Sequence, residues 1–252
     1  MLALSSVRGR VRRLAGRLAL AATDLLFPPR CVACGSESAF LCPSCQGRLP
    51  HLEPPFCLRC AQPLPVTPRG QAARTWEGGW CSRCQVQPLA LEGIRAPYRM
   101  EGVAQQAVHA LKYRNLRALA PTMGRLLAAF LTTQQVGGEL VVPVPLHPKR
   151  LRERGYNQAE LLARELGRCV ALPVAATALQ RLRATPPQVS ATREERLRNV
   201  QGAFRARSSF QGMRVMLVDD VCTTGATLDA CAVALREAGA SAVWAAVFAR
   251  EE

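Results

Sequence analysis

No apolar run in the 252 residues approaches the roughly 18–20 needed to span a bilayer, because arginine, glutamate or proline interrupts every candidate stretch. No transmembrane segment is therefore expected. Lysine is nearly missing: of 33 basic residues only Lys112 and Lys149 are lysines. Acidic residues are also scarce, at 18, which leaves a formal charge of +15. An excess of that size favours polyanionic partners, either nucleic acid or phosphorylated small molecules. Aromatics make up only 5% of the chain, so platforms for stacking bases are few, with Tyr113 and Tyr156 the exceptions. What is plentiful is apolar: 49% hydrophobic against 20% charged, with a mean hydropathy of +0.03, excludes a disordered or collagen-like chain. The length allows one α/β domain and a small appendage.

Residues 1–30 read as a basic amphipathic segment. Arg8, Arg10, Arg12, Arg13 and Arg17 precede apolar residues 18–22, a stretch that Asp24 cuts short. The cysteine pairs that follow it argue against a secreted chain.

Eight of the eleven cysteines form four identical C-x-x-C pairs: Cys31/Cys34, Cys42/Cys45, Cys57/Cys60 and Cys81/Cys84. Two sulfurs separated by two residues converge on a tetrahedral ion from one tight knuckle, and two knuckles complete a four-thiolate site. Disulfide frameworks have no reason to repeat that spacing. Sequential pairing gives C-x2-C-x7-C-x2-C and then C-x2-C-x20-C-x2-C, whereas a cross-braced scheme couples the first pair to the third. Sequential pairing is preferred because each site then closes a local loop. Residues 31–90 are expected to form a double zinc ribbon with about two structural Zn²⁺ ions, since four thiolates leave no open coordination position. Filled sites carry about −4 together, and the chain stays basic. Cys169, Cys222 and Cys231 have no such partner; Cys231 fits a helical stripe with Leu228 and Leu235.

Beyond residue 90 helical and strand periods alternate, which predicts a parallel α/β sheet over 91–252. Val103, Ala107 and Leu111, then Met123, Leu126, Leu127 and Phe130, predict two helices parted near Pro121. Residues 140–144, 215–218 and 242–248 read as strands. Leu161, Leu162, Leu166 and Cys169 mark one further helix, and residues 228–238 another.

The sharpest signal is Val218-Asp219-Asp220-Val221-Cys222-Thr223-Thr224-Gly225-Ala226-Thr227, a strand followed by two acids, a hydroxyl-rich turn and a helix. A helix that starts at the carboxyl end of a parallel strand presents unpaired N–H groups to a phosphate. Thr223, Thr224 and Thr227 add hydroxyls, Gly225 and Ala226 admit the anion to the backbone, and Asp219 and Asp220 can accept hydrogen bonds from ribose hydroxyls. Together they describe a ribose 5-phosphate site in which surface carboxylates meet the ligand. Asp219 and Asp220 are also the candidate catalytic groups. After residue 144, Pro143, Pro145 and Pro148 stiffen a turn in which Lys149, Arg150, Arg152 and Arg154 concentrate positive charge. Gly155 reads as a turn glycine, and Asn157 with Gln158 as a cap for the next helix.

Residues 215–227 closely resemble the phosphoribosyl pyrophosphate motif of type I phosphoribosyltransferases. From about Cys31 onward the chain is identified as a member of the ComF family of competence proteins, also called ComFC-like or amidophosphoribosyltransferase-like. Leu111-Lys112-Tyr113-Arg114, Val142-Pro143-Val144-Pro145-Leu146, Arg154-Gly155-Tyr156-Asn157-Gln158 and residues 193–204 carry the match beside the terminal motif. The resemblance implies a type I phosphoribosyltransferase-like parallel sheet flanked by helices, joined to a small N-terminal double zinc-ribbon domain. It implies phosphoribosyl pyrophosphate with Mg²⁺ as ligand, with Lys149, Arg150 and Arg154 near the pyrophosphate. It also assigns Arg183, Gln188, Arg193 and Arg196 to a loop closing over that ligand.

Its implied role is in natural transformation, handling incoming single-stranded DNA in the cytoplasm, peripheral to the inner-membrane uptake site. A competence helicase and a recombination mediator are the implied protein partners. Strand contacts are expected from Arg8, Arg10, Arg12, Arg13, Lys149, Arg150 and Arg152. The alternative is an active transferase moving ribose 5-phosphate to a nitrogen acceptor. The sequence leaves transfer activity open: neither a glutaminase nucleophile domain nor a base-binding hood can be recognised.

Overall fold

The structure is a computed structural model that describes residues 28–65, 79–134, 136–183, 200 and 202–251. The described residues form two compact units, one up to Arg48 and the other from Leu49 onward. In the first, the Gly35 N–H donates to the Cys31 carbonyl at 2.8 Å, closing the first knuckle, and the Cys31 N–H donates to the Ser36 carbonyl at 2.9 Å. Helix α1 (Pro43–Gln46) follows Cys42 with proline in its first turn, where a missing N–H costs nothing.

The second unit opens with Cys57 and Cys60 and continues through α2 (Ser82–Val86), β1 (Gly93–Arg95) and β2 (Tyr98–Arg99). Then come α3 (Gly102–Tyr113), α4 (Ala120–Thr133), β3 (Leu140–Pro143), α5 (Pro148–Arg154) and α6 (Gln158–Val170). An antiparallel pair, β4 (Leu179–Arg181) and β5 (Phe204–Ala206), precedes β6 (Arg214–Cys222), α7 (Ala226–Glu237) and β7 (Ala242–Arg250).

The main sheet is parallel throughout, in the order β1-β7-β6-β3, with β2 also pairing β7. Central β6 and β7 are covered on both faces and read as near-continuous apolar runs, as buried parallel strands do. Helices α4 and α6 pack closely: a Cβ on Gly124 would lie 2.6 Å from the Glu165 Cβ. Met123, Leu127, Leu162 and Leu166 fill that layer. Cys231, Leu228 and Leu235 of α7 join a core with Val215, Leu217 and Val247, which fits the packing role expected for Cys231. Cys169, expected on an apolar stripe, is exposed instead.

Three local readings are corrected. Strand β6 runs past Val218 to Cys222, because β7 supplies partners as far as Cys222↔Arg250. The basic segment read as a turn is a short helix, α5: Pro148 sits in its first turn, and the His147 side chain accepts from the Lys149 N–H at 3.3 Å. Tyr156, read as a stacking platform, is buried; its hydroxyl donates to the Leu111 carbonyl, and the Arg117 guanidinium covers its ring at 4.5 Å. No helix among the described residues is long and apolar enough to cross a membrane.

Candidate functional site

The eight paired cysteines gather in two clusters, Cys31/Cys34/Cys42/Cys45 and Cys57/Cys60/Cys81/Cys84, with the sulfurs of each within 4.8 Å of one another. The arrangement is sequential, not cross-braced. Backbone N–H groups aim at sulfur in both, Cys42 N to Cys31 Sγ at 3.5 Å and Cys81 N to Cys57 Sγ at 3.3 Å. The Arg48 guanidinium donates to Cys45 Sγ at 2.9 Å. Donors and cations directed at converging sulfurs fit thiolates holding a tetrahedral zinc ion.

The acid pair sits on β6, where successive residues face opposite sides of the sheet. Contrary to the expectation of surface carboxylates, Asp220 is 2% exposed, and Lys112, from the last turn of α3, places its Nζ 3.0 Å from Asp220 Oδ2. Burial works against the Lys112 ammonium, but the attraction of Asp220 and Asp219 outweighs it and raises the lysine pKa. Asp219 is pushed well above the ordinary carboxylate range by burial and then by its like-charged neighbour, with Lys112 pulling partly back. Its Oδ1 accepts from the Asp220 N–H at 2.8 Å.

After Cys222 the chain turns through Thr223, which is exposed, and half-buried Thr224 into α7. Gly225 holds φ at 82°, a left-handed conformation that a side chain would strain, and it caps α7 without any side-chain hydrogen bond. The Thr224 hydroxyl accepts from the Ala226 N–H at 3.3 Å. Thr227 lies in the first helical turn, half-buried. A glycine-capped helix start beside three hydroxyls is a chemically suitable cradle for a phosphate.

Strands β3 and β6 are paired in parallel, so the segment after β3 lies at the same sheet end as this cradle. Asn157 fixes that segment: its Nδ2 donates to the Val144 carbonyl at 3.0 Å, while its Oδ1 accepts from the Ala159 N–H at 3.1 Å to start α6. Gly155 ends α5 with φ 79°. A cavity of about 570 Å³ opens there, lined by Lys112, Tyr113, Arg150, Glu153, Arg154 and Tyr156. Exposed Tyr113 carries the Arg154 guanidinium over its ring at 5.8 Å.

Of the expected residues, Arg150 and Arg154 meet in this cavity, Lys149 and Arg152 are exposed on α5, and Arg183 is exposed just past β4. Gln188, Arg193 and Arg196, like Arg8, Arg10, Arg12 and Arg13, lie outside the described residues. Sequence reasoning gave Lys112 no role in the site. A signal was present: a chain that otherwise uses arginine keeps lysine at 112 and 149 alone. Arg181 was also missed. Burial lowers its pKa, Arg150 adds repulsion, and Asp219 is among the charges that act on it.

The profile of a double zinc ribbon domain matches residues 22–85, and that of a phosphoribosyl transferase domain matches residues 151–252. A DNA utilization protein, YhgH, of Escherichia coli (strain K12) is 33% identical over 168 residues, covering 65% of this chain and 74% of that protein. Competence protein F of Haemophilus influenzae (strain ATCC 51907 / DSM 11121 / KW20 / Rd) is 28% identical over 225 residues, 84% of this chain and 93% of its own length. The chain belongs to the ComF family. Competence protein ComFC of Bacillus subtilis (strain 168) extends the family's range, at 28% identity over 80% of both chains. As a ComF protein the chain joins a double zinc ribbon to a phosphoribosyltransferase-like α/β fold.

Proposed function

We propose that this ComF protein acts in the uptake or utilization of DNA, binding single-stranded DNA and phosphoribosyl pyrophosphate at one sheet end. The observation that carries the reading is the meeting of two features at the carboxyl ends of paired β3 and β6: the acid pair with its glycine-capped, hydroxyl-rich loop, and the cations of α5. A phosphorylated ribose fits this pairing. The 5-phosphate meets Thr223, Thr224, Gly225, Ala226 and Thr227, and the ribose hydroxyls donate to Asp219 and Asp220. The pyrophosphate meets Lys149, Arg150 and Arg154, with Arg183, Gln188, Arg193 and Arg196 closing over it. Mg²⁺ enters with the ligand, because a hard cation seeks its phosphate oxygens. Single-stranded DNA contacts Lys149, Arg150 and Arg152 of α5 and Arg8, Arg10, Arg12 and Arg13, with Tyr113 as the exposed stacking ring. Relatives named for competence and DNA utilization support this assignment. A cytoplasmic place at the uptake site, beside a helicase and a recombination mediator, follows from the same role.

One observation favours a second reading: the cavity of about 570 Å³ beside Lys112 has room for an acceptor. In that reading the bond from the anomeric carbon to pyrophosphate breaks, a carbon–nitrogen bond forms, and the acceptor loses a proton. Labelled single-stranded DNA titrated with and without phosphoribosyl pyrophosphate and Mg²⁺, with pyrophosphate release assayed in the same tube, separates the two. Salt-sensitive strand binding without release supports the first reading. Acceptor-dependent release supports the second, and neither strand nor ligand binding overturns both.

A further inference from the structure

Strand β7 ends in a buried cation. Arg250 is 1% exposed, yet every hydrogen bond it makes among the described residues goes to a neutral oxygen. Nε donates to the Cys60 carbonyl at 3.1 Å, Nη1 to the Cys222 carbonyl at 3.1 Å and to the Glu251 carbonyl, and Nη2 to Gln62 Oε1 at 2.6 Å. Burying a guanidinium against uncharged acceptors is costly, so the acceptors it joins are informative. Cys60 closes a knuckle of the second four-cysteine cluster; Cys222 ends β6, one residue before Thr223. One rigid fork thus ties a metal knuckle to the start of the phosphate loop. A divalent ion in four thiolates carries a net charge of −2, which supplies the counter-charge that carbonyls lack.

A second brace reaches the far end of the loop. Arg59, inside the knuckle Cys57-Leu58-Arg59-Cys60, donates to the Leu89 carbonyl at 2.9 Å. The next residue, Ala90, donates its N–H to Asp229 Oδ1 at 2.6 Å, in the first turn of α7. Leu89 and Ile94 then lie against Gly225, their Cδ1 atoms 3.6 and 3.4 Å from where its Cβ would stand.

We infer that Arg250 is a positioning residue that couples the second four-cysteine site to the phosphate loop. The metal at Cys57, Cys60, Cys81 and Cys84 holds the loop open to a ribose 5-phosphate ligand, and the ligand in turn holds the metal. The inference rests on the phosphoribosyl reading of the loop. Coupling between sites is reciprocal, so a ligand whose affinity gains from the metal must raise the metal's affinity by the same factor.

The zinc-loaded full chain is titrated to equilibrium with a chromogenic chelator, with and without saturating ribose 5-phosphate. One of two zinc ions should be held about tenfold more tightly with ligand, within the usual range of coupled sites, and the other with unchanged affinity. Arg250→Lys keeps the charge but not the fork. It should retain both zinc ions, lose about tenfold in ribose 5-phosphate affinity, and erase the protection, while affinity for inorganic pyrophosphate stays at the wild-type value. A merely structural arginine would move neither the protection nor the ratio of the two affinities. If Arg250→Lys does not fold, the wild-type chelator titrations decide the coupling between the two sites. Wild-type binding of ribose 5-phosphate with both zinc affinities unchanged overturns the coupling. No binding of ribose 5-phosphate or phosphoribosyl pyrophosphate overturns the phosphate-loop reading itself.

Discussion

Replacing Lys112 with methionine keeps the apolar stem and removes the charge that faces Asp220. At 3.0 Å, and with an effective dielectric of about 20, Coulomb's law gives roughly 5–6 kcal/mol of attraction between the two groups. The Lys112 side chain is 19% exposed and that of Asp220 3%, so water screens the lysine end somewhat and leaves the aspartate dependent on its partner. Breaking one side of such a pair costs about 3–5 kcal/mol. With a urea slope of about 2 kcal/mol/M, the midpoint of zinc-loaded Lys112→Met falls by about 1.5–2.5 M. Far-UV circular dichroism during urea titration measures this. Asp220→Asn alone strands the ammonium and is also costly, but the double variant strands neither. The cycle should therefore show at least about 2 kcal/mol of coupling. Midpoints that shift additively to within about 0.5 kcal/mol would refute the argument that Lys112 is the counter-charge of Asp220.

Three further outcomes follow from the same geometry. Asp219→Asn should stabilise the ligand-free protein near neutral pH by a few degrees in melting temperature, while weakening the ribose ligand. The sign comes from its raised pKa: stability present below the ordinary carboxylate value near 3.8 is lost as pH rises through the elevated one, and asparagine escapes that loss. Melting curves that stay parallel across pH would contradict it. Cys57→Ser should lower the metal count from about two to one and destabilise the sheet-bearing unit, measured by metal analysis and limited proteolysis. Lys149→Glu with Arg150→Glu should weaken strand binding equally for all sequences and flatten its log–log salt slope, near −0.7 per phosphate contacted; an unchanged slope would take α5 out of the strand contact.

Local chemistry was legible in the sequence, while most long-range pairing was not. Repeated cysteine spacing identified both clusters and favoured their sequential order, because ligand geometry is a property of a few adjacent residues. The strand, acids and hydroxyl turn of residues 215–227 were equally local. Prolines at 143, 145 and 148 hid helix α5, since only Pro148 enters it, at a position where helices tolerate proline. The acids looked solvent-facing because the partner of Asp220, Lys112, lies over a hundred residues earlier. Cysteine spacing grouped residues 31–90, but it is silent about what a ribbon packs on. The second cluster shares a core with β1, β6 and β7, through contacts such as Arg250 to Cys60, 190 residues apart.

The central claim is that the loop ending β6 binds a phosphorylated ribose through Asp219, Asp220 and the threonine turn. Isothermal calorimetry of phosphoribosyl pyrophosphate with Mg²⁺ tests it most directly, comparing the wild-type chain with Asp219→Ala/Asp220→Ala. One ligand per wild-type chain and no measurable heat from a folded, zinc-replete double variant is the predicted result. Equal affinity in both proteins would contradict it.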